Sequence, residues 1–306
     1  MLMIMISMSI LDPLVNSQIN TIIIENRSNL TIKDLHIVDG NITVINSKNI
    51  IIKNNIISDS PYYGIFVYNS SNITIIHNAI FSSYYDGINI KNSSYIKIQD
   101  NIIAQNGQDG ITIWYYSHNI SVINNDINQN KYGLGIFGSY YIFIYNNVVR
   151  YSSIYGIYLW NASYIMIRDN IIPKNDVAIN IDRGNGIYIT NDTISNNSIG
   201  IYIGEGVAIV NIINNLFYNN SYYGILIYYL PISYHILGNI FYINKENIFY
   251  AFNASFNTYV PILSSVNTIT ENNINNIIYM EKLLIIISIS SIVIILILMK
   301  LRNKKE

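Results

Sequence analysis

From about residue 21 to residue 254 the chain is built of short alternations of apolar and polar positions. Ile65 and Val67 bracket one intervening position, Ile73 and Ile75 bracket another, and Ile80 follows a polar break. The two-residue period in β-branched residues predicts strands with one buried face. The breaks carry the Asn, Asp, Ser and Gly that turns use, because these residues tolerate left-handed backbone or bond to their own main chain. Three such runs within 23 residues leave no length for a helix.

The same phrase returns along the chain. Gly64, Gly87, Gly110, Gly133 and Gly156 each open a Gly-Ile-x-Ile segment or a near variant, 23 residues apart. Ala178, Gly200, Gly224 and Asn247 continue the series with small changes of spacing, Asn41 precedes it, and a shorter first unit begins near Thr21. A fixed period of this length marks stacked units. A strand in one unit then finds its partner in the matching strand of the next, parallel and in register. The expected fold is all-β, a parallel β-helix of about eleven coils spanning residues 19–254. At about 4.8 Å per paired strand these coils stack to roughly 50 Å.

A polar column supports this register. Asn55, Asn78, Asn101, Asn125, Asn147, Asn170, Asn215 and Asn239 stand just before the third strand of successive units, with Asp192 in one unit and Leu35 in the first. Stacked at strand spacing, side-chain amides donate and accept along a ladder and satisfy the backbone groups of the turn.

Composition narrows the function classes. The chain has 306 residues, 72 of them Ile and 47 Asn, with 11% charged residues and a formal net charge of -1. Nucleic acid is not an expected partner, because phosphate binding needs clustered Lys and Arg. The absence of Cys removes disulfides, thiolate metal sites and a Cys nucleophile. His36, His77, His118 and His235 fall in different units and columns, so neither a metal site nor a cofactor is expected.

The Gly-Ile-x-Ile and Asn-x-Ile phrases resemble the right-handed parallel β-helix repeat family over about residues 21–254. That family includes pectate-lyase-like proteins, carbohydrate-binding and sugar-hydrolysis domains, and the copper-associated maturation protein NosD. The resemblance implies the right hand of the coil. For enzymes of the family it implies acidic clusters on an outer sheet face, often with Arg, Lys or Ca²⁺. One scaffold carries many activities, so the side chains of this chain must decide its own.

In the strand after each repeat Gly, the first and third positions are expected to point inward and the second and fourth outward. The outward set contains Tyr68, Trp114, Phe137, Tyr158 and Trp160, including both Trp of the protein. A row of outward rings is read as a platform for sugar rings or a partner, or as a stack covered by residues 252–279. Asp176 and Asp182 lie in the densest charged region and are the carboxylates of the enzymatic reading; Arg183 and Glu205, one unit apart, are expected to form a cross-rung ion pair. Asp86 and Asp109 precede repeat glycines and read as turn residues, with a Ca²⁺ site or an acid–base pair as the other reading. No adjacent Asp-Asp pair of the glycoside-hydrolase type is present.

The ends suggest a membrane protein. Residues 283–299 hold no charge, span most of a ~30 Å hydrocarbon core as a helix, and are followed by Lys300, Arg302, Lys304 and Lys305. The positive-inside rule then places the tail in the cytoplasm and the coils outside. Residues 1–18 read as a signal segment or cap, 255–281 as a cap or stalk, 282–300 as a transmembrane helix and 301–306 as a cytoplasmic tail. Twelve Asn-x-Ser/Thr sequons agree with an extracytoplasmic location. The expectation is a single-pass, non-enzymatic cell-surface glycoprotein that presents an aromatic face to carbohydrate or protein. The alternatives are a polysaccharide lyase, hydrolase or epimerase, and a structural spacer of the envelope.

Overall fold

The structure, a computed structural model, describes residues 3–4 and 21–251. The rest of the expected signal segment, the stalk, the membrane span and the tail lie outside the described residues. The described chain is a parallel β-solenoid whose strands form a 12-stranded first sheet and two 10-stranded sheets. Each coil gives one strand to each sheet, so the 10-stranded sheets mark 10 complete coils. The expectation of eleven is high by one. The extra strands, Met3–Ile4 and Glu246–Tyr250, add only to the two ends of the first sheet.

The register is that of the sequence repeat. Ile65, Ile88, Ile111, Leu134 and Ile157 are successive partners in the first sheet, all fully buried. Matching Ile columns from the other sheets fill the rest of the interior, for example Ile73, Ile96 and Ile120. A β-branched side chain has few rotamers to choose from, which suits like residues stacked rung on rung. The repeat glycines sit where this packing is tightest. A Cβ on Gly110 would lie 2.6 Å from the Gly133 carbonyl oxygen and 2.5 Å from the Ile127 side chain.

The Asn ladder closes the corner between the second and third sheets. The Asn55 backbone N–H and its Nδ2 both donate to Asn78 Oδ1 at 3.0 Å, and Asn78 Nδ2 donates to the Ile52 carbonyl at 2.9 Å. The pattern repeats to Asn239, and the Leu35 N–H caps it by donating to Asn55 Oδ1. Two further buried ladders were not anticipated. Ser47, Ser70, Ser93 and Ser117 line the corner between the first and second sheets. Asn106, Asn130, Asn175, Asn197 and Asn220 line the corner leading back to the first sheet.

This geometry gives a physical reason for the sequons. Asn26, Asn29, Asn69, Asn72, Asn92, Asn119, Asn161, Asn191, Asn196 and Asn219 all have φ between 47° and 59°. Asn is the side-chain-bearing residue best suited to that left-handed region. Ser or Thr follows because the next residues start a ladder or a strand, as in Asn69-Ser70-Ser71. These amides also stack in the open, Asn69 donating to Asn46 at 2.7 Å and Asn219 to Asn196 at 2.8 Å. The sequon excess therefore follows from turn stereochemistry without reference to location.

Candidate active site

The outer face of the first sheet carries three columns. The first, just before the repeat Gly, runs Asp86, Asp109, Tyr132, Tyr155 and Val177. The second runs Asn89, Thr112, Gly135, Tyr158 and Asn180, and the third Lys91, Trp114, Phe137, Trp160 and Asp182. Polar rungs and aromatic rungs thus lie side by side.

Asp86 and Asp109 are not exposed turn residues. They are only 6% and 5% exposed, and Asp109 opens the strand Asp109–Trp114. The tight Gly that follows each one holds the chain against the neighbouring coil and turns the carboxyl onto the sheet face. Asn89 Nδ2 donates to Asp86 Oδ2 at 2.7 Å, the Asp109 N–H donates to Asp86 Oδ1 at 3.1 Å, and the Thr112 hydroxyl donates to Asp109 Oδ2 at 2.9 Å. Burial raises both carboxyls; Asp109, facing also the negative charge of Asp86, is pushed up to about 8. Near neutrality Asp109 therefore holds its proton. Gly135, on the next rung, is the one residue of its stretch of column without a side chain. A Cβ there would stand 2.6 Å from Asp109 Oδ2 and 2.6 Å from the Phe137 ring.

Beside this pair, Trp114, Tyr115, Tyr116, Phe137, Gly138, Trp160 and Asn161 line a cleft of about 220 Å³. The Trp114 and Phe137 rings are 5.0 Å apart, and Trp160 is 39% exposed. The volume lies below the ~300–1,000 Å³ that encloses a drug-sized ligand and suits one ring of a longer chain lying across it. Of the five rings singled out in the sequence, Trp114, Phe137 and Trp160 meet in this cleft. Tyr158 packs edge-on against Phe137 at 5.4 Å, outside the lining. Tyr68 stands two rungs below Trp114, with Lys91 between them and its ammonium 6.0 Å from the Tyr68 ring.

The two carboxylates of the charged region separate. Asp182 is half-buried and hydrogen-bonded to Tyr158; burial and then the Glu205 charge raise its carboxyl, and burial raises the Tyr158 phenol to about 12. Asp176 is exposed beyond the opposite end of the strand Val177–Asp182. Arg183 and Glu205 form the cross-rung pair at 2.6 Å, both more than half exposed. The histidines are apart as expected: His118 stacks on Tyr140, His77 meets Asp100 and His235 meets Asn211.

The chain is thus a parallel β-solenoid with a carboxylate pair and an aromatic cleft on one outer face. Residues 14–149 and 110–261 match the family described as right handed beta helix region, and the chain belongs to that family. No curated protein sequence matches the chain. Among solved structures it is similar to the mannuronan C-5 epimerase AlgE6 A-module of Azotobacter vinelandii, with a TM-score of 0.67 and 14% identity over 82% of this chain and 79% of that one. It is also similar to the AlgE4 A-module of the same organism (TM-score 0.65, 15% identity, 82% and 80% covered). A third is an alginate lyase from Paenibacillus sp. (TM-score 0.51, 12% identity, 75% and 90% covered). These likenesses show the fold.

Proposed function

We propose that this chain is a polysaccharide-modifying enzyme, with Asp86 and Asp109 as its acid–base pair and the cleft of Trp114, Phe137 and Trp160 as the seat of a sugar ring. One observation carries the reading: Asp109, a buried carboxyl raised to about 8, opens the strand that ends in Trp114, with Asp86 one rung away on the same face as the aromatic cleft. A carboxyl held protonated at neutral pH suits a general acid, and a second carboxyl beside it suits the partner base. Ring faces pack on the apolar faces of sugars. The epimerases and the lyase among similar structures fit a scaffold suited to glycan chemistry, while the assignment here rests on this chain's own residues.

The test measures glycan turnover and glycan affinity separately. Asp109→Asn is expected to abolish turnover and keep affinity, and Trp114→Ala with Trp160→Ala is expected to weaken affinity. Turnover unchanged in Asp109→Asn would remove the pair from the chemistry. A second reading, a glycan-binding face without catalysis, is favoured by the 5–6% exposure of the two carboxyls. Retained affinity with no turnover in the parent protein would select it. In either reading residues 282–300 would tether the coils to a membrane, which alkaline extraction of the membrane fraction tests.

A further inference from the structure

The aromatic cleft is a gap in a stack of rings. Trp114, Phe137 and Trp160 are register partners on three successive coils, so unbroken stacking would set their rings about 4.8 Å apart. Phe137 does not take the place between the two indoles. Gly135 has no side chain, and the Phe137 ring leans over that position, 2.6 Å from where a Cβ would stand. From there it meets Trp114 at 5.0 Å, tilted by 38°, and Tyr158 edge-on. The same coil turns its corner on Gly138, whose Cβ would meet only the Asn161 side chain, at 4.0 Å. The middle coil is thereby emptied, and its neighbours stand two rungs apart, about 9.6 Å.

Cations cover the far sides of the walls. Arg183, one coil beyond Trp160, sits over the Trp160 ring at 6.0 Å, and Lys91, one coil before Tyr115, sits over the Tyr115 ring at 5.2 Å. The opposite faces of the two rings therefore look toward each other across the coil of Phe137. Tyr115 belongs to an addition to the repeat. Ser47, Ser70 and Ser93 follow one another at 23 residues, and Ser117 comes after 24. The extra length lies in Tyr115 and Tyr116, both in left-handed backbone with φ of 45° and 58°. In the preceding coils this corner is Asn46, Asn69 and Asn92, stacked through their amides. Asn takes that conformation easily and a bulky ring does not, so the chain carries strain where it sets an aromatic wall on the cleft.

We propose that the gap takes a pyranose chair whose hydroxyls are all equatorial, the stereochemistry of β-linked glucose and xylose units; this inference rests on the reading of the cleft as a sugar seat given above. Two carbon contacts of about 3.5–4.0 Å take up about 7–8 Å of the gap. A flat ring would leave space over, whereas a chair is thickened by its pucker and its axial hydrogens. An all-equatorial ring carries only C–H bonds on both faces, so each face can lie on an aromatic wall. Its hydroxyls then point outward around the rim, toward water and the exposed Tyr116 and Asn161 that border the cleft. An axial hydroxyl, as at C2 of mannose or C4 of galactose, would turn an O–H onto one wall and strip it of water without a partner.

The experiment titrates the full chain calorimetrically with the β-1,4-linked hexamers of glucose, xylose, mannose and galactose. All four are neutral and share one linkage, so ring stereochemistry is what varies. Hexamers of mannuronate and galacturonate, which also bear an axial hydroxyl, form a further arm, and Asp109→Asn repeats each titration so that turnover does not consume the ligand. The glucose and xylose hexamers are expected to bind about tenfold or more tighter than the others. That preference should shrink to about twofold or less in Trp160→Ala and in Tyr115→Asn, as one wall is lost in each. Tyr115→Asn installs the residue that the preceding coils use at this φ, and circular dichroism verifies the solenoid in both variants. A preference unchanged in both variants would overturn the proposal. Equal or reversed affinities that are lost in Trp160→Ala would overturn the stereochemical assignment and leave the sugar seat standing. No binding of any hexamer would overturn both.

Discussion

Asp192 is the one acid in the ladder that runs from Asn55 to Asn239, and its replacement by Asn is expected to stabilise the protein in a pH-dependent way. The neighbouring rung shows what an amide does there. Asn170 Nδ2 donates to the carbonyls of Ile144 and Arg168, both at 3.0 Å, and to Asp192 Oδ1 at 2.8 Å. One coil on, the equivalent acceptors are the carbonyls of Ile167 and Thr190 and the amide oxygen of Asn215. Asp192 Oδ2 stands in the place of the donor, buried and with no hydrogen-bond partner among the described residues. Burial pushes this carboxyl from 3.8 up to about 7. The folded chain therefore binds this proton more tightly than the unfolded chain. Stability is full below about pH 4, falls as pH rises from there to about 7, and stays low above. At about 1.4 kcal/mol per pH unit the loss amounts to about 4 kcal/mol. Asparagine is isosteric, carries no charge and restores the missing donor. Urea denaturation of the full chain, followed by circular dichroism at pH 4 and pH 8, measures the effect. Asp192→Asn should gain about 3 to 4 kcal/mol more over the parent at pH 8 than at pH 4; Asp86 and Asp109 titrate in both proteins and cancel. Identical pH profiles, or a variant less stable at pH 8, would refute the reasoning.

Four other expectations follow from contacts in the coil. Gly110→Ala should cost about 2 kcal/mol or more in urea denaturation, because its Cβ would meet the Gly133 carbonyl at 2.6 Å. Asn125→Ala should cost about 3 kcal/mol by the same measurement, since it strips the acceptor from the buried Asn101 N–H at 3.0 Å and the donor from the Ile98 carbonyl at 3.0 Å. Gly135→Ala should keep the circular dichroism of the parent and reduce glycan turnover, because its Cβ claims the space of Asp109 Oδ2; full turnover would place the reacting groups elsewhere. A double-mutant cycle on Arg183 and Glu205 should return less than about 1 kcal/mol, as both side chains are more than half exposed.

The order of the repeat is legible in the chain because the solenoid is a translation. A 23-residue period in sequence becomes a column in space, so Ile65, Ile88 and Ile111, or Asn55, Asn78 and Asn101, can be stacked without coordinates. The same logic places Trp114, Phe137 and Trp160 on successive rungs and pairs Arg183 with Glu205. The Ser and Asn columns at the other two corners had the same signal, but their members alternate Ser, Asn and Ala and so looked like ordinary turn composition. Position along a column says nothing about depth across a corner. Asp86 and Asp109 read as turn residues because they precede Gly, and only the close approach of the coils at that Gly folds their carboxyls onto the sheet and removes them from water. The missing side chain at Gly135, the tilt of Phe137 over it and the cleft shared by Trp114 and Trp160 likewise depend on how neighbouring rungs bend, which a one-dimensional period does not contain.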